Sequence, residues 1–336
     1  MADQLAEVVD DKTATGLVRV SRGVAAYLNG RFDEALVECQ AGVDQLRRFG
    51  GTMWETVTAQ RFIIASLFHL GRLRALATLV PPLLAETEAK GNLYASTFFK
   101  TTYSNAAWLV SDQASLAREH LEQGRAEWQA PGVQLSHCWM LVGEANLALY
   151  AGEKDRLWAM VERDWPRFVA AQFLRIAMLR VQLLHLRSVA ALCEAGTQQR
   201  LGFASDARRL RQEARSSAAR LAKQRISFAR PLAELTLAAV DMSVGNLEAG
   251  RSGLLRSIDL FGKQDMRLYA AAAKTRLGQL LGGHEGAALV HQGQAAFTAE
   301  GIVKPSNMLE LLAPGFPGES PTLIGKKSDP RLLTSG

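Results

Sequence analysis

The stretch "AYLNGRFDEAL", residues 26–36, decides how this chain is read. An apolar helix end runs into Asn29 and Gly30, and Asp33 and Glu34 then open a second apolar-periodic segment. Glycine just past a helix and carboxylates in the first turn of the next are stop and start signals, so the spacing predicts a helical hairpin. The same break recurs along the chain. "LFHLGRLRAL" turns at Gly71, "AWLVSDQASLAREHL" at Asp112, "ALYAGEKDRLWAM" at Gly152, "ALCEAGTQQRLG" at Gly196, "DMSVGNLEAG" at Gly245 and "QLLGGHEGAAL" at Gly282. From Gly30 the intervals are 41, 41, 40, 44, 49 and 37 residues.

Between these breaks the pattern is helical. In "TVTAQRFIIASLFHLG", Val57, Phe62, Ile63, Leu67 and Leu70 fall near one another on a helix, and the remaining apolar residues imply burial on two sides. Strand alternation is missing, so nearly all of residues 14 to 312 reads as helix, with Pro81, Pro166 and Pro231 marking kinks or first turns. A two-helix unit cannot bury its apolar faces alone. Regular copies are therefore expected to stack, giving an all-α, right-handed α-solenoid of about seven helical hairpins. Gly23 and Ala35, twelve residues apart and flanking Tyr27, Gly30 and Phe32, are small residues where paired helices cross closely, the tetratricopeptide pattern with longer repeats. The expected organisation is an N-terminal extension over 1–13, the repeat domain over 14–316, and a flexible Pro-, Gly-, Ser- and Lys-rich tail over 317–336.

Bulk properties agree with that reading. A chain of 336 residues with 48% hydrophobic content has ample material for burial. Cys39, Cys138 and Cys193 match no metal or disulfide spacing and read as buried reduced thiols. The acidic start "MADQLAEVVDDKT" lacks a secretory pattern, and the longest uncharged run, Trp128–Gly143, is too short and polar to span a bilayer. The expected location is cytoplasmic.

Six stretches carry a resemblance: "WETVTAQRFIIASLFHLGRLRAL", the pair "GNLY" and "AAWLVSDQ", "DRLWAMVERDWPRF", "DMRLYAAAAKTRLGQLLGGHEG" and "NMLELLAPGF". Over roughly residues 15 to 316 the chain resembles the tetratricopeptide-like C-terminal region of large bacterial serine/threonine protein kinases. That region follows a kinase domain and a predicted AAA-type ATPase module and is related to the helical region of maltose-regulator-type transcription factors. The resemblance implies a regulatory, protein-interaction or sensing role, with an attached or separate kinase or ATPase as partner.

No enzyme motif accompanies it. The G-x-G-x-x-G loop, V-A-I-K lysine, H-R-D and D-F-G are missing, and "DLFG" at 259–262 has the wrong order for a metal-binding aspartate. "IGKKS" at 324–328 lacks the upstream glycine of a P-loop. His284 and His291 of "HEGAALVH" stand about 10.5 Å apart along a helix, too far for one ion, and His137 beside Cys138 points about 100° away from it. The expectation is no catalytic site, no cofactor and no metal.

Charge supplies the candidate site. From Arg175 to Arg230 the chain carries twelve Lys or Arg against Glu194, Asp206 and Glu213. In "FASDARRLRQEARSSAARLAKQR", Phe203, Ala207, Leu210, Ala214, Ala218 and Leu221 form an apolar stripe with the arginines on the flanks and outer face, which reads as a solvated face or a surface for an acidic partner; nucleic acid is the less supported alternative. "FVAAQFLRIAMLRVQLLHLRSVAAL" is apolar nearly all round yet contains Arg175, Arg180, His185 and Arg187. Arg180 and Arg187 share a face, and Arg175 shares one with Gln182. Guanidinium groups there need carboxylates such as Asp164 or Glu144, backbone carbonyls, or else an anion or a protein or peptide partner held in the concave groove.

Overall fold

The computed structural model describes residues 12–50, 53–129 and 131–317. The expected extension, apart from Lys12 and Thr13, the tail beyond Pro317, and "IGKKS" lie outside the described residues. All regular structure among the described residues is helical. The α-helices are α1 (Lys12–Leu28), α2 (Phe32–Phe49), α3 (Met53–Leu70), α4 (Leu73–Ala89), α5 (Leu93–Lys100), α6 (Ala106–Val110), α7 (Ala114–Glu127) and α8 (Leu135–Ala151). They continue as α9 (Leu157–Ala170), α10 (Ala177–Arg200), α11 (Ala204–Ala222), α12 (Ala229–Ser243), α13 (Leu247–Lys263), α14 (Arg267–Leu281), α15 (Gly283–Ala299) and α16 (Pro305–Leu312). Consecutive helices pack on one another, most extensively α1 on α2, α10 on α11, α14 on α15 and α12 on α13. No helix among the described residues is long and apolar enough to cross a membrane.

Most breaks fall where the sequence places them. Gly30, Gly71, Gly152, Gly245 and Gly282 all have positive φ, and Asp112 occupies the left-handed region at φ 58. Gly196 does not mark a turn: it lies inside α10, and the chain reverses at Gly202, φ +86. The helix expected to run through 168–192 is also interrupted. It ends at Ala170, a one-turn 3₁₀ segment covers Phe173–Arg175, and α10 starts at Ala177. Pro81 and Pro166 sit inside α4 and α9, and Pro231 in the first turn of α12.

Close crossing at the first pair is real: a Cβ on Gly23 would stand 2.3 Å from Cys39 Sγ and 3.1 Å from the Ala35 carbonyl oxygen. Burial pushes the three thiols, Cys39, Cys138 and Cys193, up to about 12, so they stay protonated.

The chain then closes on itself. The turn at Gly30 meets the start of α12, where a Cβ on Gly30 would stand 2.7 Å from Ser227 Oγ and where Phe32 packs on Phe228 at 5.0 Å. The turn at Gly71 meets the start of α14, with Leu268 N 2.8 Å from the position a Cβ would take. At both places glycine serves the positive φ and the close approach together. Further on, Val303 N–H donates to the Val110 carbonyl (3.0 Å) and Lys304 pairs with Asp112 (2.7 Å). Lys154 and Arg276 both pair with Glu310, at 2.6 and 2.9 Å, and Arg276 donates twice to the Ala313 carbonyl. Burial works against the Glu310 charge, yet Arg276 and Lys154 hold its carboxyl below the usual range.

Candidate functional site

Closure brings one face each of α3, α8 and α10 together around a buried kink. That kink is "KTTYSN", residues 100–105, where α5 gives way to a 3₁₀ turn before α6. Its side chains bond the backbone in place of the helix: Thr101 Oγ1 donates to the Thr97 carbonyl (2.7 Å), and Asn105 Nδ2 donates to those of Lys100 (3.0 Å) and Ala117 (2.8 Å). Thr102 is held at φ 49, a costly conformation for a β-branched residue, with Gly143 of α8 pressed on it: a Cβ there would stand 2.9 Å from Thr102 N. The result is that Tyr103 projects into the interior, stacked on Phe68 at 4.5 Å.

Tyr103 and Gln182 border two adjoining spaces. The inner chamber, about 50 Å³, is walled by Phe68 and Phe228 and carries His69, Asn146 and His185. His69 stacks on Phe32 at 4.4 Å and lies 3.5 Å from Tyr27 Oη, while its Nδ1 has no partner. The Nδ1 of His185 and the amide nitrogen of Asn146 are likewise unpartnered. Burial pushes His69 down to about 3 and His185 down to about 4, so both rings are neutral at pH 7.

The outer cleft, about 220 Å³, is lined by Phe62, Trp139, Phe173 and Met178 and contains Arg61. The guanidinium lies 4.2 Å from the centre of the Trp139 ring and 5.0 Å from that of Phe98, and donates from Nη1 to the Tyr94 hydroxyl. Its Nε has no partner, and no carboxylate among the described residues lies within ion-pair distance of it. Burial pushes Arg61 down from its ordinary value.

The four residues singled out by charge are scattered. His185 lies in the inner chamber. Arg180 is bonded internally, from Nε to Gln224 (2.7 Å) and from Nη1 to the Leu174 carbonyl (2.8 Å). Arg187 pairs with Glu213 (2.7 Å) and covers the rings of Trp165 and Trp158 at 4.5 and 5.0 Å. Arg175 is exposed on the 3₁₀ turn, off the helix and away from the Gln182 stripe expected for it. Neither expected acid serves these arginines: Asp164 pairs with Arg163 and Arg167, and Glu144 with Arg125. In the basic helix α11, Ala207, Leu210, Ala214, Ala218 and Leu221 are buried as the stripe requires, but Phe203 is 55% exposed at its start, and Arg209 and Arg215 are paired with Asp206 and Asp241.

Arg61, His69, Tyr103, Trp139 and Asn146 had not been singled out. Their signal was faint but present: Arg61, Ala65 and His69, like Trp139, Val142 and Asn146, recur at helical spacing, placing polar groups on faces otherwise apolar. His137 makes no pair with Cys138, since its Nδ1 accepts from the Gln134 backbone (3.0 Å) at the start of α8. Among the described residues no group of three or more His, Cys, Asp or Glu is placed to hold a metal ion. Comparison with known protein families, curated proteins and solved structures gave no match.

Proposed function

We propose that this chain is a recognition and sensing module that works by binding, built as a right-handed, tetratricopeptide-like array of about seven long hairpins. One observation carries the reading. The inner faces of α3, α8 and α10 converge on an aromatic cleft and chamber whose polar atoms, Arg61 Nε, His69 Nδ1, His185 Nδ1 and Asn146 Nδ2, are left without protein partners. Buried polar groups are normally satisfied, so such a concentration in a recess favours a ligand site.

The contacts between distant turns support the array. Counting the kinked α5 and α6 as one arm, the hairpins are α1–α2, α3–α4, α5/α6–α7, α8–α9, α10–α11, α12–α13 and α14–α15; the tip of the first meets the start of the sixth, the second meets the start of the seventh, and the third meets the segment entering α16. A constant offset of five units is what a tight superhelix produces. A ligand in the cleft would add contacts among elements that closure brings together, shifting the balance toward the closed arrangement, and an attached or separate kinase or ATPase partner would read that shift. The alternative, a piece of a polypeptide with kinase activity of its own, is decided by whether kinase and ATPase motifs stand upstream in the same reading frame.

The test pairs activity with binding. Given ATP, magnesium and a generic protein substrate, the chain is expected to show no turnover. Indole is expected to raise its melting temperature, and not that of Ala65→Trp, which fills the cleft. Turnover abolished by one point substitution, or a wild-type chain indifferent to indole, overturns the reading.

A further inference from the structure

We infer that the outer cleft binds a single-ring aromatic monocarboxylate, its anionic end on Arg61 and its ring against the wall formed by Phe62, Trp139 and Phe173. The inference rests on the binding reading above and adds the chemistry of the ligand.

Buried cations elsewhere in the fold have an acid beside them. Lys100 is buried with both Glu88 and Glu127, Arg187 is half-buried with Glu213, and Arg276 is buried with Glu310. Arg61 has no carboxylate among the described residues in reach, and unlike Arg180, which the Gln224 and Leu174 oxygens satisfy, it faces the rings of Tyr94, Phe98 and Trp139, donates to the Tyr94 hydroxyl and keeps an unpartnered Nε. Ring faces attract a cation, but they do not replace a counter-charge removed from water. A ligand carboxylate would, and the planar fork of arginine suits two parallel hydrogen bonds to it.

Charge and size narrow the class. Among the described residues Arg61 is the single cationic side chain lining the cleft, which balances one negative charge and disfavours a phosphate monoester carrying nearly two. The volume, about 220 Å³, corresponds to roughly seven waters, enough for one ring with a short acid arm. At the border with the inner chamber, Gln182 donates to the Tyr103 hydroxyl (3.1 Å), which leaves the phenolic hydrogen of Tyr103 free for a polar ring substituent. 4-Hydroxyphenylacetate combines these features.

Calorimetric titration of the full chain with 4-hydroxyphenylacetate and with its uncharged methyl ester tests the inference. The acid is expected to bind at least tenfold more tightly than the ester, and the preference is expected to disappear in Arg61→Met. Should Arg61→Met fail to fold, Arg61→Lys serves instead: it retains the charge without the fork, so the preference should shrink but survive. An acid no tighter than its ester, or a preference unchanged in Arg61→Met or Arg61→Lys, overturns the inference. If neither compound binds but indole does, the carboxylate assignment fails and the binding reading stands; if indole fails too, both fall.

Discussion

At the scale of single residues, two buried histidines set a pH dependence. His69 at about 3 and His185 at about 4 lie below the unfolded value of 6.5, so between those limits the unfolded chain binds protons that the folded chain refuses. Their contribution is therefore complete above pH 6.5 and is lost as pH falls, each histidine giving a slope of about 1.4 kcal/mol per pH unit within its window. Chemical denaturation at pH 7.5 and 5.5 should show a clear loss at the lower pH, before most carboxylates titrate. The double variant His69→Phe/His185→Leu should flatten that slope; an unchanged slope would mean the rings are not held neutral. The arginines separate in the same experiment. Arg187→Met strands Glu213 and uncovers two tryptophans, for a loss of roughly 2–3 kcal/mol. Arg175→Ala, exposed and off the helix, should stay within about 0.5 kcal/mol of wild type. Equal losses from both would contradict these placements. Arg187 could be noticed in the sequence because a cation interrupts an apolar helix; its acid could not be, because the choice of Glu213 over Asp164 or Glu144 depends on how α11 lies against α10.

At the scale of elements, helix stops and restarts were legible at six hairpin tips where glycine or aspartate takes a positive φ, Gly30, Gly71, Asp112, Gly152, Gly245 and Gly282, while the turn at Gly202 was placed too early. Gly196 shows the limit of that signal: inside α10 it faces open space, with only Arg200 Nη1 within 4 Å of a Cβ position, so the glycine has no turn to make. The kink at residues 100–105 was missed for the opposite reason. Its Thr, Ser and Asn are only weak helix formers, and side-chain bonds to the backbone, visible only in the structure, tip them out of the helix. Asn105 is the key residue there. Asn105→Ala leaves the carbonyls of Lys100 and Ala117 without their buried donor and should cost on the order of 2–3 kcal/mol in a urea titration. It should also weaken indole binding by displacing Tyr103. A stable variant with unchanged binding would show that the kink does not position the cleft.

At the scale of the whole molecule, hairpin periodicity reached as far as an all-helical chain whose consecutive helices pack on one another. Closure depends on residues some 200 positions apart, such as Gly30 with Ser227 and Arg74 with Glu300, whose backbone N–H to carboxylate bond is 3.0 Å long. Contacts of that range leave no periodic trace, and the same closure turns an expected open groove into an interior cleft. The cleft and chamber exist only in the closed arrangement, so the most direct measurement is small-angle X-ray scattering of residues 12–317 in solution. The closed arrangement predicts a compact particle with a radius of gyration of about 20 Å. A radius of about 30 Å or more, with the scattering of an elongated rod, would contradict it.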